Sequence, residues 1–501
     1  MSWAASATLD QSPLVVSLRR DLRLATGPLR DHLASGLLAA VGSGDIPLGS
    51  RLPAERRLAD ALGVSRGTVV AALDQLEARG VVERRPGSGS YVRSAPITAS
   101  GAPTPGDAEL VELWMNHGSP IDLAVSSPVT PPADLLTPEV MATAAVLTST
   151  SGHGYSAYGE PVMRAAAAAR LTRQGLASVA DDVIVTCGAQ QALQLATRAL
   201  VKPGDRVFVD HPTYPGLLAL LRQVGAVPVP IRTDDEGLIP ADVTRAVAQH
   251  GPAMLATASL GSNPTGAVLS PARRSALLEV ITLHELVVLE DLTLADTIID
   301  ASMLSGAGFD NTRVGAPLCA DDRVKGVVVG SASKLLWGGL RVGWLRTNES
   351  WLRLMAQSKA LADFGTAPVT QLVTAAMLEQ ILAEPAWVDR RRAELRQRRD
   401  LMVDLVHHHL PTWRIAAPPA GLSLWAHVPG VDASELAVAA DRHDVHVMPG
   451  EQCGVDGTYA DHVRLSFDRE PAVLEQAAVR LAQAHADVSR MPARSRPAVG
   501  P

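Results

Sequence analysis

The sequence predicts an α/β protein in which a small winged helical unit precedes a large body built on a mostly parallel sheet, with a smaller α/β domain behind. Three observations lead there. The chain has 501 residues, more than one ordinary core accommodates. Residues 1–93 hold 12 arginines against 9 acidic residues, whereas the whole chain carries −7, so a basic front stands on an acidic body. Between Asp181 and Thr347 short β-rich runs alternate with helical stretches, the pattern of parallel strands joined by covering helices. A hydrophobic content of 47% supplies large cores, and 19% charged residues argue against wholesale disorder. Cys187, Cys319 and Cys453 are scattered and lack CxxC spacing, which supports neither a disulfide framework nor a metal site. The N-terminus lacks a basic region followed by an apolar core, and no apolar run is long enough to span a bilayer. The expectation is a soluble, cytoplasmic protein that keeps clear of membranes. Its expected parts are an N-terminal extension (1–26), a winged helix (27–93), a linker (94–120), the sheet-based body (121–487) and a disordered tail (488–501).

In order along the chain, Leu29, Leu33, Leu37 and Val41 recur with helical spacing over 27–41. After the turn GSGDIPLGSRLP comes a helix over 54–62, then the tight turn Gly63-Val64-Ser65. Ser65 is a natural N-cap for a helix over 66–79 that buries Val69, Leu73 and Leu76. Helix, glycine turn and helix form the helix-turn-helix pattern. The first turn of the second helix presents Ser65, Arg66 and Thr68, the end that reads base edges in this motif. VVERRPGSGSYV reads as a hairpin wing turning at Pro86 to Gly89, with Arg84 and Arg85 for phosphate contact. Arg51 and Arg56 complete the expected DNA-facing set. The run RLPAERRLADALGVSRGTVVAALDQLEARGVVERRPGSGSYV closely resembles the winged-helix DNA-binding domain of the GntR family of bacterial regulators. Ala54 departs from it, since many relatives have a serine there.

Residues 94–120 are rich in Ala, Pro, Gly, Ser and Thr, with a possible short helical turn at 109–115. From Ile121 the strand-like runs are VIVT, VFVD, VPVPI, MLATAS, LVVLED, GVVVGS and VGWLRT. A long helical stretch starts at Ala367, and 385–487 read as the smaller α/β domain. His407, His408 and His409 read as a solvated helix face, because adjacent helical residues diverge.

Ligands of open α/β sheets lie beyond the carboxyl ends of the strands, and the residues just past these runs converge on one chemistry. VIVT leads into Gly188, Ala189 and Gln190 opening a helix, whose N–H groups suit an anion. VFVD is followed by Tyr214, able to stack on a flat ring. MLATAS precedes Asn263, and LVVLED ends in Asp291. GVVVGS opens the loop Ser331-Ala332-Ser333-Lys334, with Arg341 seven residues on. An amine that can condense with a carbonyl, beside hydroxyls and a guanidinium suited to a phosphate ester, fits pyridoxal 5'-phosphate. A carboxylate near the pyridine nitrogen keeps it protonated, and an amide bonds the ring phenolate. Asp291 and Asn263 are the candidates. Arg464 in HVRLSF suits an effector or substrate carboxylate.

NPTG, ED, SASK with Arg341, and RLSF resemble fold-type I aminotransferases over roughly residues 121–487. The resemblance implies a Schiff base on Lys334, with Gly188, Ala189, Gln190, Ser331, Ser333 and Arg341 holding the phosphate. It also likens Tyr155 to the tyrosine that reaches a neighbouring subunit's phosphate, at a spacing to Gly159 one residue shorter than usual. Thr293 departs from the family, which usually has a tyrosine there. A GntR-type winged helix followed by an aminotransferase-like domain resembles the MocR class of transcriptional regulators. That resemblance implies a head-to-tail homodimer that binds double-stranded DNA and responds to pyridoxal phosphate or to an amino-acid or amine effector. The sequence leaves open a working aminotransferase with an accessory DNA-binding domain, and a non-catalytic scaffold with a vestigial pocket.

Overall fold

The computed structural model describes residues 15–16, 18–19, 22, 28–42, 46, 50–78, 82–85, 89–92, 121–149, 152–305, 308–309 and 314–490. The linker expected over 94–120 and the wing turn at 86–88 lie outside them. The chain divides into two compact units, Met1–Ala102 and Pro103–Pro501.

In the first unit α1 (Leu29–Gly42), α2 (Glu55–Leu62) and α3 (Arg66–Ala78) precede the antiparallel hairpin of β1 (Val82–Arg85) and β2 (Gly89–Val92). Leu33 and Leu37 of α1 are buried, but Leu29 at its first position is 39% exposed, so the apolar face starts one turn later than the spacing predicts. Ala54 gives α2 no side-chain cap. Gly63 ends α2 in the left-handed region at φ +70°, where its N–H bonds the carbonyls of Ala59 and Asp60, a conformation costly for a residue with a Cβ. The Ser65 hydroxyl accepts the Thr68 N–H at 3.0 Å and so caps α3. α3 buries Val69, Ala72, Leu73 and Leu76, and each larger side chain contributes about 1.5–3 kcal/mol by leaving water. The stretch read as a plain turn does more. The Leu52 N–H bonds the Ser90 carbonyl at 2.8 Å and the Val92 N–H bonds the Ser50 carbonyl at 2.9 Å, which lays residues 50–52 along the free edge of β2.

The second unit is built on an eight-stranded sheet of β4 (Val183–Thr186), β5 (Arg206–His211), β6 (Val227–Asp234), β7 (Gly237–Leu238), β8 (Met254–Thr257), β9 (Val288–Asp291), β12 (Gly326–Ser331) and β13 (Gly343–Arg346). A small hairpin, β10 (Leu304–Ser305) with β11 (Gly308–Phe309), stands apart from it. The spatial order is β4-β13-β12-β9-β8-β5-β6-β7. β12, β9, β8, β5 and β6 pair in parallel, whereas β13 runs antiparallel to β12 and β4. Alternate residues of these strands enter different cores: Val183, Phe208, Leu255, Val288 and Val328 one, Ile184, Val207, Ala256, Leu289 and Val329 the other. Burial on both faces explains why the strands read as unbroken apolar runs.

Helices α4 (Pro138–Thr148), α5 (Pro161–Arg173), α6 (Gly188–Leu200), α7 (Pro215–Gln223), α8 (Pro240–His250), α9 (Pro271–Leu283), α10 (Glu349–Asp363) and α11 (Pro368–Ala383) belong to this layer. α10 is a separate helix closed by the left-handed Phe364, and the long helical stretch starts with Ala367 as the N-cap of α11, where the sequence places it. It is interrupted before Pro385, where α12 (Ala386–His409) starts. The smaller domain is an antiparallel sheet in the order β14 (Arg414–Ile415), β15 (Ser423–His427), β18 (His462–Ser466), β17 (Met448–Pro449). Leu424, Val463 and Leu465 pack there with Met402 of α12, Leu436 of α13 (Ala433–Arg442) and Leu474 of α14 (Pro471–Arg490). β3 (Ile121–Asp122) pairs in parallel with β16 (Val445–His446), so the first residues of the body attach to its last domain. α14 continues through Arg490 with Val488 buried, three residues into the expected tail. Residues 491–501 lie outside the described ones.

Candidate functional site

Registers bring the chemistry to one edge of the sheet. Val329 of β12 lies opposite Asp291 of β9, while Gly343 lies opposite both Ser331 and Thr186. The carboxyl ends of β4, β9 and β12 therefore meet there. The Lys334 amine donates to the Ser126 carbonyl at 2.6 Å. Burial, helped by the Arg464 charge, pulls that amine down to about 8, while the Asp291 carboxylate opposes the shift. Asp291 is pushed above the usual carboxylate range by burial, against the Thr293 N–H, the Thr293 hydroxyl and the Lys334 charge. That N–H reaches Asp291 Oδ1 at 2.8 Å, so the residue in the place of the family's tyrosine serves the carboxylate through its backbone. Tyr214 is half-buried ahead of α7, and burial raises its phenol.

The residues expected to hold an anion lie at the start of α6 and in the turn after Lys334. The first N–H groups of α6 precede its internal hydrogen bonds. Gly188 has φ +74°, and a Cβ there would stand 3.0 Å from Arg341 Nη2. A Cβ on Gly343 would stand 2.6 Å from the Gly188 carbonyl carbon, so this pair of glycines lets the strand and the helix mouth approach. Arg341, itself left-handed at φ +54°, donates to the Cys187 carbonyl at 3.1 Å. Ser331 and Ser333 bond each other at 2.9 Å, Gln190 Nε2 donates to the Gly216 carbonyl at 3.2 Å, and Ala189 follows Gly188 in the first turn of α6.

Arg464 is 4% exposed. It donates from Nη1 to Asn263 Oδ1 at 3.0 Å and from Nη2 to the Ala124 carbonyl. Arg464 Nε and Gln190 Oε1 are buried without a hydrogen-bond partner among the described residues. Sequence reasoning missed four participants. Ser126 and Ala124 lie in the strap after β3 and act through their backbone carbonyls, which no side-chain pattern signals. Arg469 holds that strap through the carbonyls of Asp122, Val125 and Ser127; its signal was a second arginine five residues after Arg464. Asp210 is the penultimate residue of β5 and Asp291 the last of β9, and the signal for Asp210 was visible in VFVD. Both line one cavity with Tyr214 and Asn263. Burial, with the Asp291 charge adding, pushes Asp210 up to about 7, while the Ala258 N–H and Thr257 hydroxyl pull it down.

In the first unit Arg66 is 57% exposed in its side chain and pairs with Glu55 at 2.9 Å. Ser65 and Thr68 hydroxyls bond each other at 2.8 Å. Arg51 and Arg56 are exposed, and the Arg51 guanidinium lies 6.0 Å from the Tyr91 ring centroid. Arg84 reaches back to α3, pairing with Asp74 at 2.6 Å and Glu77 at 3.5 Å. Arg85 stands opposite Gly89 in the wing, and its side chain lies outside the described residues. His407 to His409 close α12. Among the described residues no group of three or more His, Cys, Asp or Glu is placed to hold a metal ion, and no helix is long and apolar enough to cross a membrane.

Residues 119–481 match the family described as aminotransferase class I and II, and residues 29–92 match bacterial regulatory proteins of the gntR family. The HTH-type transcriptional regulator TauR of Rhodobacter capsulatus is 29% identical over 449 residues, 85% of this chain and 89% of its own length. The HTH-type transcriptional regulator YdfD of Bacillus subtilis is 28% identical over 450 residues, 85% of this chain and 90% of its own. Among solved structures, an archaeal alanine:glyoxylate aminotransferase superposes with a TM-score of 0.66 at 25% identity, covering 76% of this chain and 94% of that one. The α-aminoadipate aminotransferase LysN of Thermus thermophilus gives 0.66 at 24% identity, over 76% and 95%.

Proposed function

The chain belongs to the aminotransferase class I and II family and carries a gntR-type domain at its front, and from that premise we propose that it is a transcriptional regulator of the MocR type. On this reading it holds pyridoxal 5'-phosphate and answers to an amino compound. The observation that carries the proposal is the pairing of both families in one chain, matched over most of their length by relatives named as transcriptional regulators.

The residues present fit the cofactor. An amine held near 8 is partly free at neutral pH, the left-handed Gly188 leaves room for an anion at a helix mouth, and Arg464 keeps an unpartnered buried N–H. Bound there, the cofactor supplies an aldehyde that captures amines and a ring that acts as an electron sink. Lys334 is the attachment point, and Asp291 is suited to hold a proton at the ring nitrogen. Asn263 serves the ring hydroxyl, and Tyr214 flanks the ring. Gly188, Ala189, Gln190, Ser331, Ser333 and Arg341 hold the phosphate. Arg464 takes the effector's carboxylate. Arg51, Arg56, Ser65, Arg66, Thr68 and Arg85 face double-stranded DNA, Arg84 braces the wing against α3, and the protein works in the cytoplasm. We also propose a homodimer: Tyr155, Leu361 and Phe364 are 70%, 90% and 66% exposed, with the Tyr155 and Phe364 rings 5.6 Å apart, an apolar patch of the kind that marks a protein interface.

The test is an absorption spectrum of the purified full chain, titrated with a panel of amino acids and amines while binding to its own upstream DNA is followed. The expected result is a visible band that shifts with one amine, together with DNA affinity. Continuous conversion of an amine to a keto acid, with DNA affinity indifferent, would make the protein an aminotransferase instead.

A further inference from the structure

Lys359, in α10, is 0% exposed, a rare position for a lysine. Its ammonium reaches both oxygens of Asp363 one turn on, at 3.0 and 2.8 Å, and Gln191 Oε1 at 3.0 Å. Gln191 lies in the first turn of α6. Its Oε1 also accepts the Cys187 N–H at 2.7 Å, while its Nε2 donates to Asp363 Oδ2 at 2.6 Å. The orientation of this amide is thereby fixed, because its oxygen meets two donors and its nitrogen a carboxylate. Cys187 is held from both sides, its N–H by Gln191 and its carbonyl by Arg341. The next residue is Gly188, whose conformation opens the anion cradle. Burial alone would raise Asp363, but the bonds from Lys359 and Gln191 hold its carboxyl below the usual range.

We infer that Lys359 is a positioning residue for the phosphate group of the cofactor: through Gln191 it sets the direction of the Cys187 peptide, and with it the Gly188 turn and the Arg341 guanidinium. The inference rests on the cofactor reading above. A buried ion pair of purely structural use would lower the stability of the fold when broken, without preference for one ligand over another. A relay to the cradle penalises the phosphate ester selectively, since an ion held by oriented N–H groups and a guanidinium loses affinity when those donors lose their aim.

The test titrates the full chain with pyridoxal 5'-phosphate and, separately, with pyridoxal, following absorbance at fixed pH. Lys359→Met weakens the phosphate ester about tenfold and leaves pyridoxal within about twofold. Gln191→Met, at a half-buried position that spares the Lys359 to Asp363 pair, gives the same selective loss and serves if the first variant does not fold. Equal losses for the two ligands, or none, overturn the relay while leaving the cofactor reading intact. Failure of the unaltered chain to bind either ligand overturns both.

Discussion

The titration of Lys334 gives the most direct quantitative test of the site. Its amine is held at about 8 by burial and the Arg464 charge, against the opposing pull of Asp291. At pH 7.5 an amine of that value is roughly one quarter free, whereas an ordinary lysine is roughly one thousandth free. Attachment of the aldehyde is therefore expected roughly 200-fold faster than to a solvent-exposed lysine at that pH. Stopped-flow absorbance after mixing the cofactor-free chain with pyridoxal 5'-phosphate, repeated across pH 6 to 10, reads the midpoint. It should lie near 8, fall in Asp291→Asn, which removes the charge that favours the ammonium, and rise in Arg464→Met, which removes one that disfavours it. Lys334→Ala should acquire no such band. The linked stability has a fixed sign: the unfolded chain binds more protons at this lysine between 8 and 10.5, so the cofactor-free fold gains stability as pH rises through that window. A midpoint above about 9.5, or a visible band that survives Lys334→Ala, would refute the argument.

Three further outcomes are expected from the geometry. Asp210→Asn should stabilise the cofactor-free chain by up to about 4 kcal/mol at pH 8 and by about 2 kcal/mol at pH 5 in thermal or urea unfolding, because a carboxyl raised from 3.8 to about 7 penalises the fold progressively across that interval and fully above it; equal effects at both pH values contradict the assignment. Arg66→Ala should weaken binding to the operator more than to unrelated DNA while leaving cofactor absorption unchanged; an unaltered preference for the operator removes Arg66 from base-edge contact. Phe364→Asp should shift the full chain toward monomer in light scattering, and an unchanged mass shows that the dimer uses another face.

The features legible in the sequence were those carried by local chemistry. Ser65 caps α3 because a hydroxyl one residue ahead of a helix answers an orphan N–H whatever else surrounds it. The valines of β12 fill both cores because doubly covered strands tolerate no polar face. Asp291 and Lys334 come near enough for each charge to shift the other because Asp291 ends β9 and Lys334 follows β12, its parallel neighbour. What escaped depends on distant partners. The strap at 121–127 is fixed by Arg469, more than 300 residues away in sequence, and it acts through carbonyls that every residue possesses. Lys359 looks like an ordinary helical lysine until Gln191, 168 residues earlier, meets it. Arg84 was read toward DNA, and its pairing with Asp74 and Glu77 appears only when the wing folds against α3.

Arg464 also shows how small a change suffices for regulation. Its guanidinium is occupied by a neutral amide oxygen, Asn263, and by the Ala124 carbonyl, with Nε left over. An effector carboxylate offers the same cation two charged oxygens in a bidentate geometry, which neutral acceptors cannot match. A hydrogen bond to a charged group contributes about 1.5–3 kcal/mol, and coupling between a ligand and a second site typically amounts to about 1–3 kcal/mol. Exchanging one acceptor at Arg464 therefore supplies free energy of the required size, provided the ligand-bound arrangement differs from the one held by Asn263 and Ala124. Those partners belong to different parts of the second unit, the Asn263 turn beyond β8 and the strap paired with β16, so releasing them removes one link between the two parts. The strap also carries Ser126, the partner of the Lys334 amine, the group that would hold the cofactor and for which an incoming amine would compete. On the proposed reading, both ends of an amino-acid effector would act on one seven-residue segment, whereas an amine without a carboxylate would act on its Lys334 end alone.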